Sequence, residues 1–317
     1  MQYLVNVISC GVIYIGLMAV LQIQGVSFIQ KFLNFFYRFE GGIREEIAYV
    51  AIQNYGRATS IFHWANSLGE FLTVALLILF VYVLDHPNRR SLRLPIIAIA
   101  VGLFGIVLSG SRMALIALAI GMFIILILRR QFKVLIIVFI GGLIILYAMD
   151  FVAQKTGRAS RLNELFSFIS GTGAVPPTLQ TRIDNTSESI SAFIYGDFSH
   201  WTGTTVTNYQ SIAPENFDNE YLKYLVWSGY IGLVAFVLFQ LGVCLRSWLA
   251  FRYFPPGTPG NTLSLSLLAV SMSMMFSAYS QDAWGGERTL QLVFIVLGVL
   301  VYFRNLQVKN SVVLQAK

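Results

Sequence analysis

The chain has 317 residues, 56% hydrophobic and only 12% charged, with a mean hydropathy of +0.68. A soluble domain is about a quarter charged, so this composition excludes an ordinary globular enzyme and points to a polytopic membrane protein. The pI near 9.4 does not imply nucleic acid, because a membrane protein keeps its excess cations in cytoplasmic loops.

The first 25 residues are apolar but lack a basic leader and a small-residue cleavage site. They are expected as a first span at 3–24 rather than as a cleaved signal. Cys10 and Cys244 both stand in apolar runs and offer neither a disulfide framework nor metal spacing. Residues 27–65 are not a span. Phe28, Phe32, Leu33, Phe35, Phe36 and Phe39 recur at spacings near three and four, with Lys31, Arg38 and Glu40 between them. That pattern suits an amphipathic helix in the outer interface or a connector helix packed on the bundle. Seven further spans are expected at 67–84, 95–108, 113–128, 134–149, 222–245, 263–279 and 289–303. The apolar runs are continuous rather than alternating, which excludes a β-barrel. The expected fold is therefore all-α: a single membrane domain over 1–317, an integral helix bundle of about eight transmembrane helices. One long outward-facing loop is expected at 151–221.

Charge placement orients the bundle. Arg89, Arg90, Arg93, Arg129, Arg130, Lys133, Arg246, Arg252, Arg304, Lys309 and Lys317 collect on one side against Asp85. Short loops rich in Lys and Arg lie inside, so both termini are expected in the cytoplasm. The 151–221 segment then faces outward, with four cations against seven acids. A loop of this length is usually functional or disordered.

Four places carry candidate chemistry. Ser109-Gly110-Ser111-Arg112 forms the outer turn between the third and fourth spans. Arg112 at a helix start adds a guanidinium to the positive end of the helix dipole, which suits a diphosphate held bidentately; the alternative is a side chain that snorkels to headgroup phosphates. Arg57, before the second span, is another candidate anion ligand. His63 beside Trp64 is either a titrating group or an interface residue. In the long loop, Arg182 is a candidate ligand or a partner of Asp184 or Glu188. The stretch 187–195 reads as a short helix, and Asn185-Thr186-Ser187 matches a glycosylation sequon. Asp218 and Glu220 precede the sixth span, as a general base or as acids favouring the helix dipole. Two apart, they point in opposite directions in a strand, or about 200° apart on a helix, and so do not form a matched pair. No Walker motif, dinucleotide fingerprint, zinc spacing or Gly-x-Ser-x-Gly elbow is present.

The order of these pieces resembles the O-antigen ligase and O-antigen polymerase family of bacterial envelope glycosyltransferases. Residues 57–66, Arg-Ala-Thr-Ser-Ile-Phe-His-Trp-Ala-Asn, resemble the family's Arg-Ala-x-Gly-x-Phe-x-x-Pro-Asn, with departures at Ser60 and Ala65. Ser111-Arg112-Met113-Ala114, on a helix closing in Arg129-Arg130, resembles its Ser-Arg-x-Ala helix. Arg182 resembles its loop arginine. Asp218-Asn219-Glu220-Tyr221-Leu222, then Gly229-Tyr230-Ile231-Gly232-Leu233, resembles its His-Asn-x-x-Leu and Gly-x-x-Gly-Leu run. The likeness covers 56–303, the carboxy-terminal two-thirds of a typical member, so a short or amino-terminally truncated member is expected. Asp218 replaces the ligases' histidine and tilts the reading toward a polymerase of O-antigen, capsule or exopolysaccharide units.

The resemblance implies a multi-pass protein of the bacterial inner membrane acting on undecaprenyl-diphosphate-linked glycans. It implies Arg112 and Arg182, with Arg57, as diphosphate ligands, and Asp218 first, Glu220 second, as proton acceptor. No cofactor, nucleotide sugar, metal or nucleic acid is expected. Partners are membrane lipid and other polysaccharide assembly proteins. A ligase, a transporter of lipid-linked glycans and a noncatalytic assembly partner are the alternatives; charges gathered at the outer rim favour the enzyme over the transporter.

Overall fold

The computed structural model describes residues 1–26, 28–29, 31–32, 57–62, 65–86, 92–155, 177–195, 199–203, 219–279 and 287–315. Nine helices are named among them: α1 (Gln2–Ile23), α2 (Ala65–Asp85), α3 (Arg93–Ser109), α4 (Arg112–Leu128), α5 (Phe132–Lys155), α6 (Pro177–Tyr195), α7 (Glu220–Tyr253), α8 (Pro259–Ser277) and α9 (Glu287–Gln315). Every apolar run expected as a span is helical, and no strand occurs among the described residues. Within the named helices, prolines stand where a helix tolerates them: Pro177 and Pro259 open α6 and α8, and Pro95 lies in the first turn of α3.

Three helices, α1, α2 and α7, are long and apolar enough to cross a membrane. At 17 residues each, α3 and α4 are shorter apolar helices. The chain divides into two compact units. The first holds Met1–Ile125, Gln240–Ser277 and Ala283–Lys317; the second holds Leu126–Phe239 and Ala278–Asp282.

In the first unit, α1 packs on α3 and α2, and α8 packs on α2 and α9. Small residues allow the close approach. A methyl group on Gly102 of α3 would lie 2.7 Å from Leu76 and 2.8 Å from Val12, and one on Gly105 would lie 2.8 Å from Leu72. Without a hydrophobic drive between helices in lipid, such contacts supply the packing. Buried hydroxyls satisfy themselves on their own helices: Ser264, Ser266 and Ser273 donate to the carbonyls of Gly260, Thr262 and Ala269.

Polar staples show which helix ends share a side. Tyr82, near the end of α2, donates to Gln2 at the start of α1. Thr262 of α8 donates to Asp85 at 2.5 Å. At the opposite ends, Gln22 of α1 bonds to the segment that precedes α2. α1 and α2 therefore run in opposite directions, and so do α2 and α8. In the expected outer segment at 27–65, Ile29 is buried against Met18, with Phe32 and Ile61 alongside, while Phe28 is exposed; residues 33–56 lie outside the described residues.

The second unit departs from the expected reading in two ways. The loop at 151–221 is not devoid of regular structure: α5 runs on to Lys155, and α6 is a 19-residue helix, not the short one expected at 187–195. Pro177 starts α6 and a Gln180–Asp184 hydrogen bond of 2.8 Å supports it. Its apolar residues are too few to announce a helix. Phe193 is buried against Val226 of α7, with Leu225 and Trp227 alongside.

The second departure is in the sixth span, which is not one straight helix. Gly229 breaks α7 with φ 62° and ψ −161°, a conformation essentially reserved for glycine. The two arms fold back: Tyr224 stacks on Phe236 with ring centroids 4.1 Å apart, and Tyr221 meets the same ring at 5.6 Å. Fifteen residues of straight helix would separate Tyr221 from Phe236 by about 22 Å. The arm at 230–253 still spans about 36 Å at helical rise.

Candidate functional site

The turn Ser109-Gly110-Ser111 is built by local chemistry. Gly110 ends α3 in the left-handed conformation, φ 61°. The Ser109 hydroxyl donates to Ile106 O at 2.7 Å and accepts Ser111 N–H at 3.2 Å. Ser111 then caps α4, its hydroxyl accepting Ala114 N–H at 3.4 Å. From α2, Gly69 presses on this turn; a methyl group there would lie 2.8 Å from Ala114 and 2.9 Å from Ser111. Arg112 follows as the first residue of α4, and its side chain is exposed.

Arg57 comes to the same turn from the other direction. Its Nε donates to Ser109 O at 2.7 Å and a terminal amino group donates to Asn66 Oδ1 at 2.6 Å. Ser109 O is one of the last carbonyls of α3, which lack helical partners and carry partial negative charge. Arg57 therefore closes the end of α3, half-buried, while standing beside Gly110. The first unit thus gathers Arg57 and Arg112 at one helix-to-helix turn, next to the positive end of α4. Two guanidiniums and a helix start can receive a multiply charged anion.

The other expected residues belong to the second unit. Arg182 stands on α6. Glu220 opens α7 fully buried, with its N–H donated to Ala278 O at 2.8 Å. Asp218 and His63 fall outside the described residues. Asn219, within the same motif, has a definite structural part: its Oδ1 accepts Tyr221 N–H at 3.0 Å and Leu222 N–H at 3.2 Å, capping α7. No group of three or more His, Cys, Asp or Glu suited to a metal occurs among the described residues.

The Gly229-x-x-Gly232 run also acquires a physical meaning. The kink turns Tyr230 N–H and Ile231 N–H outward from the helix, and they bond to His200 O at 2.9 Å and Trp201 O at 3.2 Å. The turn at 199–203 can approach only because both partners are glycine; a methyl group on Gly203 would lie 2.5 Å from Gly229 N. This joint presents Trp201, 68% exposed, edge-on to Tyr230.

Two polar residues were passed over in the sequence reading. Glu70 is buried in α2, where with Thr73, Ser273 and Ser277 it lines a cavity of about 10 Å³, room for one water. Gln22 is buried near the end of α1. Each is a polar side chain set among apolar residues of a span, which is the signal that marks it.

Together these features define a helical membrane protein with a paired-arginine turn at one end of its first unit. Residues 97–237, a little under half of the chain, match the family described as O-antigen ligase, and the match supports a likeness to the O-antigen ligase/polymerase family. The matched stretch includes Arg112, Arg182, Asp218 and Glu220, while Arg57 precedes it. No curated protein matches the chain. The family supports a membrane-embedded role in polysaccharide assembly.

Proposed function

We propose that the protein is a polymerase that joins undecaprenyl-diphosphate-linked oligosaccharide repeat units at the outer face of the bacterial inner membrane. The observation that carries this reading is the convergence of Arg57 and Arg112 on one turn, within and beside the region matching the family. The proposed topology is eight spans with both termini in the cytoplasm, which puts that turn at the outer leaflet.

In the reaction, the acceptor hydroxyl oxygen attacks the anomeric carbon of the donor glycan. The bond from that carbon to the diphosphate oxygen breaks, and the lipid diphosphate leaves with the electron pair. Arg112 and Arg57 hold the negative charge that develops on the leaving group, and the resemblance to the family's loop arginine gives Arg182 the same role. Preorganised cations act most strongly where charge develops and water is excluded. A carboxylate takes the hydroxyl proton: Asp218 in the first place and Glu220 in the second. The buried position of Glu220 favours that order, because a proton acceptor must reach the hydroxyl. Aspartate in place of the ligases' histidine supports a polymerase over a ligase.

The test is chain extension by purified protein supplied with a lipid-linked repeat unit. Arg112→Gln and Arg182→Gln should each abolish longer product at unchanged protein level. Extension intact in either variant would remove that arginine from the mechanism. Transfer to an unlike acceptor without lengthening would make the protein a ligase.

A further inference from the structure

We propose that Gln22 is the residue that positions Arg57, by clamping the strap Arg57–Ser60 from the α1 side; the inference rests on the diphosphate-binding role given to Arg57 above. Ala58, Thr59 and Ser60 are fully buried, and a buried backbone amide must find an acceptor. Ala58 N–H takes Leu108 O of α3 at 2.9 Å. The next two amides both go to one side chain: Thr59 N–H and Ser60 N–H reach Gln22 Oε1 at 2.9 and 2.7 Å. Gln22 Nε2 returns a bond to Thr59 Oγ1 at 2.9 Å. One amide group thereby makes three hydrogen bonds to two residues of the strap.

The strap is also bent against its preference. Ser60 has φ 51°, unusual for a residue that is not glycine. Such a conformation persists only where its surroundings over-determine it. Gln22 holds the Ser60 amide, and the Ser60 hydroxyl holds Ile15 O at 3.0 Å. The bend turns the chain from α1 toward α3, so that Arg57, three residues earlier, meets Ser109 O. Gln22 is too far along the chain to have been read as part of a motif, yet it fixes the backbone from which the guanidinium reaches the turn.

The experiment uses the full chain in detergent or nanodiscs and measures binding of undecaprenyl diphosphate. Gln22→Met keeps the length of the side chain and removes its amide. Gln22→Glu keeps the two acceptor oxygens for the strap amides, and the Thr59 hydroxyl can turn to donate. Gln22→Met should weaken binding about tenfold, as Arg57→Ala does, and Gln22→Glu should stay within about twofold of the parent. The double variant Gln22→Met with Arg57→Ala should bind no more weakly than Arg57→Ala, since the first acts through the second. Thr59→Val, which removes one of the three bonds, should weaken binding about threefold and serves if Gln22→Met does not fold. Asn261→Leu, which removes bonds to Phe251 O and Phe254 O elsewhere in the unit, should lower thermal stability and leave binding unchanged.

Parent-like binding by Gln22→Met, or by Thr59→Val where Gln22→Met does not fold, overturns the proposal. So do losses that multiply in the double variant, or a loss in Asn261→Leu equal to that in Gln22→Met. Parent-like binding by Arg57→Ala instead removes Arg57 from the diphosphate site, and the role of Gln22 with it.

Discussion

Two segments outside regular helix are fixed by opposite means. The strap at Arg57–Ser60 has one backbone bond, Ala58 N–H to Leu108 O, and is otherwise tied by side chains: Gln22 grips its amides, and its own Arg57 grips the end of α3. The turn at 199–203 is tied through its backbone, its carbonyls feeding the amides freed at the Gly229 kink, with the His200 and Trp201 rings set edge-on against Phe193 and Tyr230. A side-chain tie tolerates graded change, because a shorter or isosteric group keeps part of the bonding. A backbone tie between two glycines has no slack. The lesson is that the joint should fail all at once and the strap by degrees.

The largest effect is expected at the joint. Gly203→Ala puts a methyl group 2.5 Å from backbone atoms of Ser228 and Gly229 at a position with φ 72°. Clash and left-handed strain together should cost about 3 kcal/mol or more. Thermal unfolding of the purified variant checks this, and the folded fraction should drop before any change in the intrinsic activity of survivors. Gly229→Ala should behave alike. Were either tolerated without loss, the rigid joint would be refuted.

Next comes Arg112→Gln, which should abolish detectable longer product at unchanged protein level, a loss of about 100-fold or more, the scale of a lost charge-stabilising group. Its side chain is exposed. Arg57→Ala should cost about tenfold in extension and also about 1 kcal/mol of stability, since it uncaps α3. Comparing the two arginines separates the exposed cation from the one that also caps α3. Asn219→Ala should be the mildest, about 1 kcal/mol of stability from a lost helix cap, readable as a small shift in melting temperature.

Much of the fold was legible because hydropathy is the membrane's own criterion. The runs opening at Tyr3, Ser67, Pro95 and Met113 each proved to be a helix, displaced by no more than two residues at the start. What stayed hidden had no hydropathic mark. The 19 residues of α6 are mostly polar, and the helix is anchored through Phe193. The fold-back of α7 depends on one dihedral pair at Gly229, and a glycine within an apolar run looks the same whether it kinks or continues. Of the site, Arg112 and Arg57 were visible as cations bordering apolar runs. Their meeting at one turn was not, because it requires Gln22 and Ser109 to bring together segments 35 and 52 residues away. Glu70 and Gln22 stood in plain view as polar residues inside spans, and their burial gives them weight.

The central claim is that the turn carrying Arg57 and Arg112 holds the lipid diphosphate. The most direct measurement is the affinity of the purified protein for undecaprenyl diphosphate, with and without the double change Arg57→Gln, Arg112→Gln. The account predicts a loss of about 100-fold. Equal affinity in parent and double variant, both folded, would contradict it.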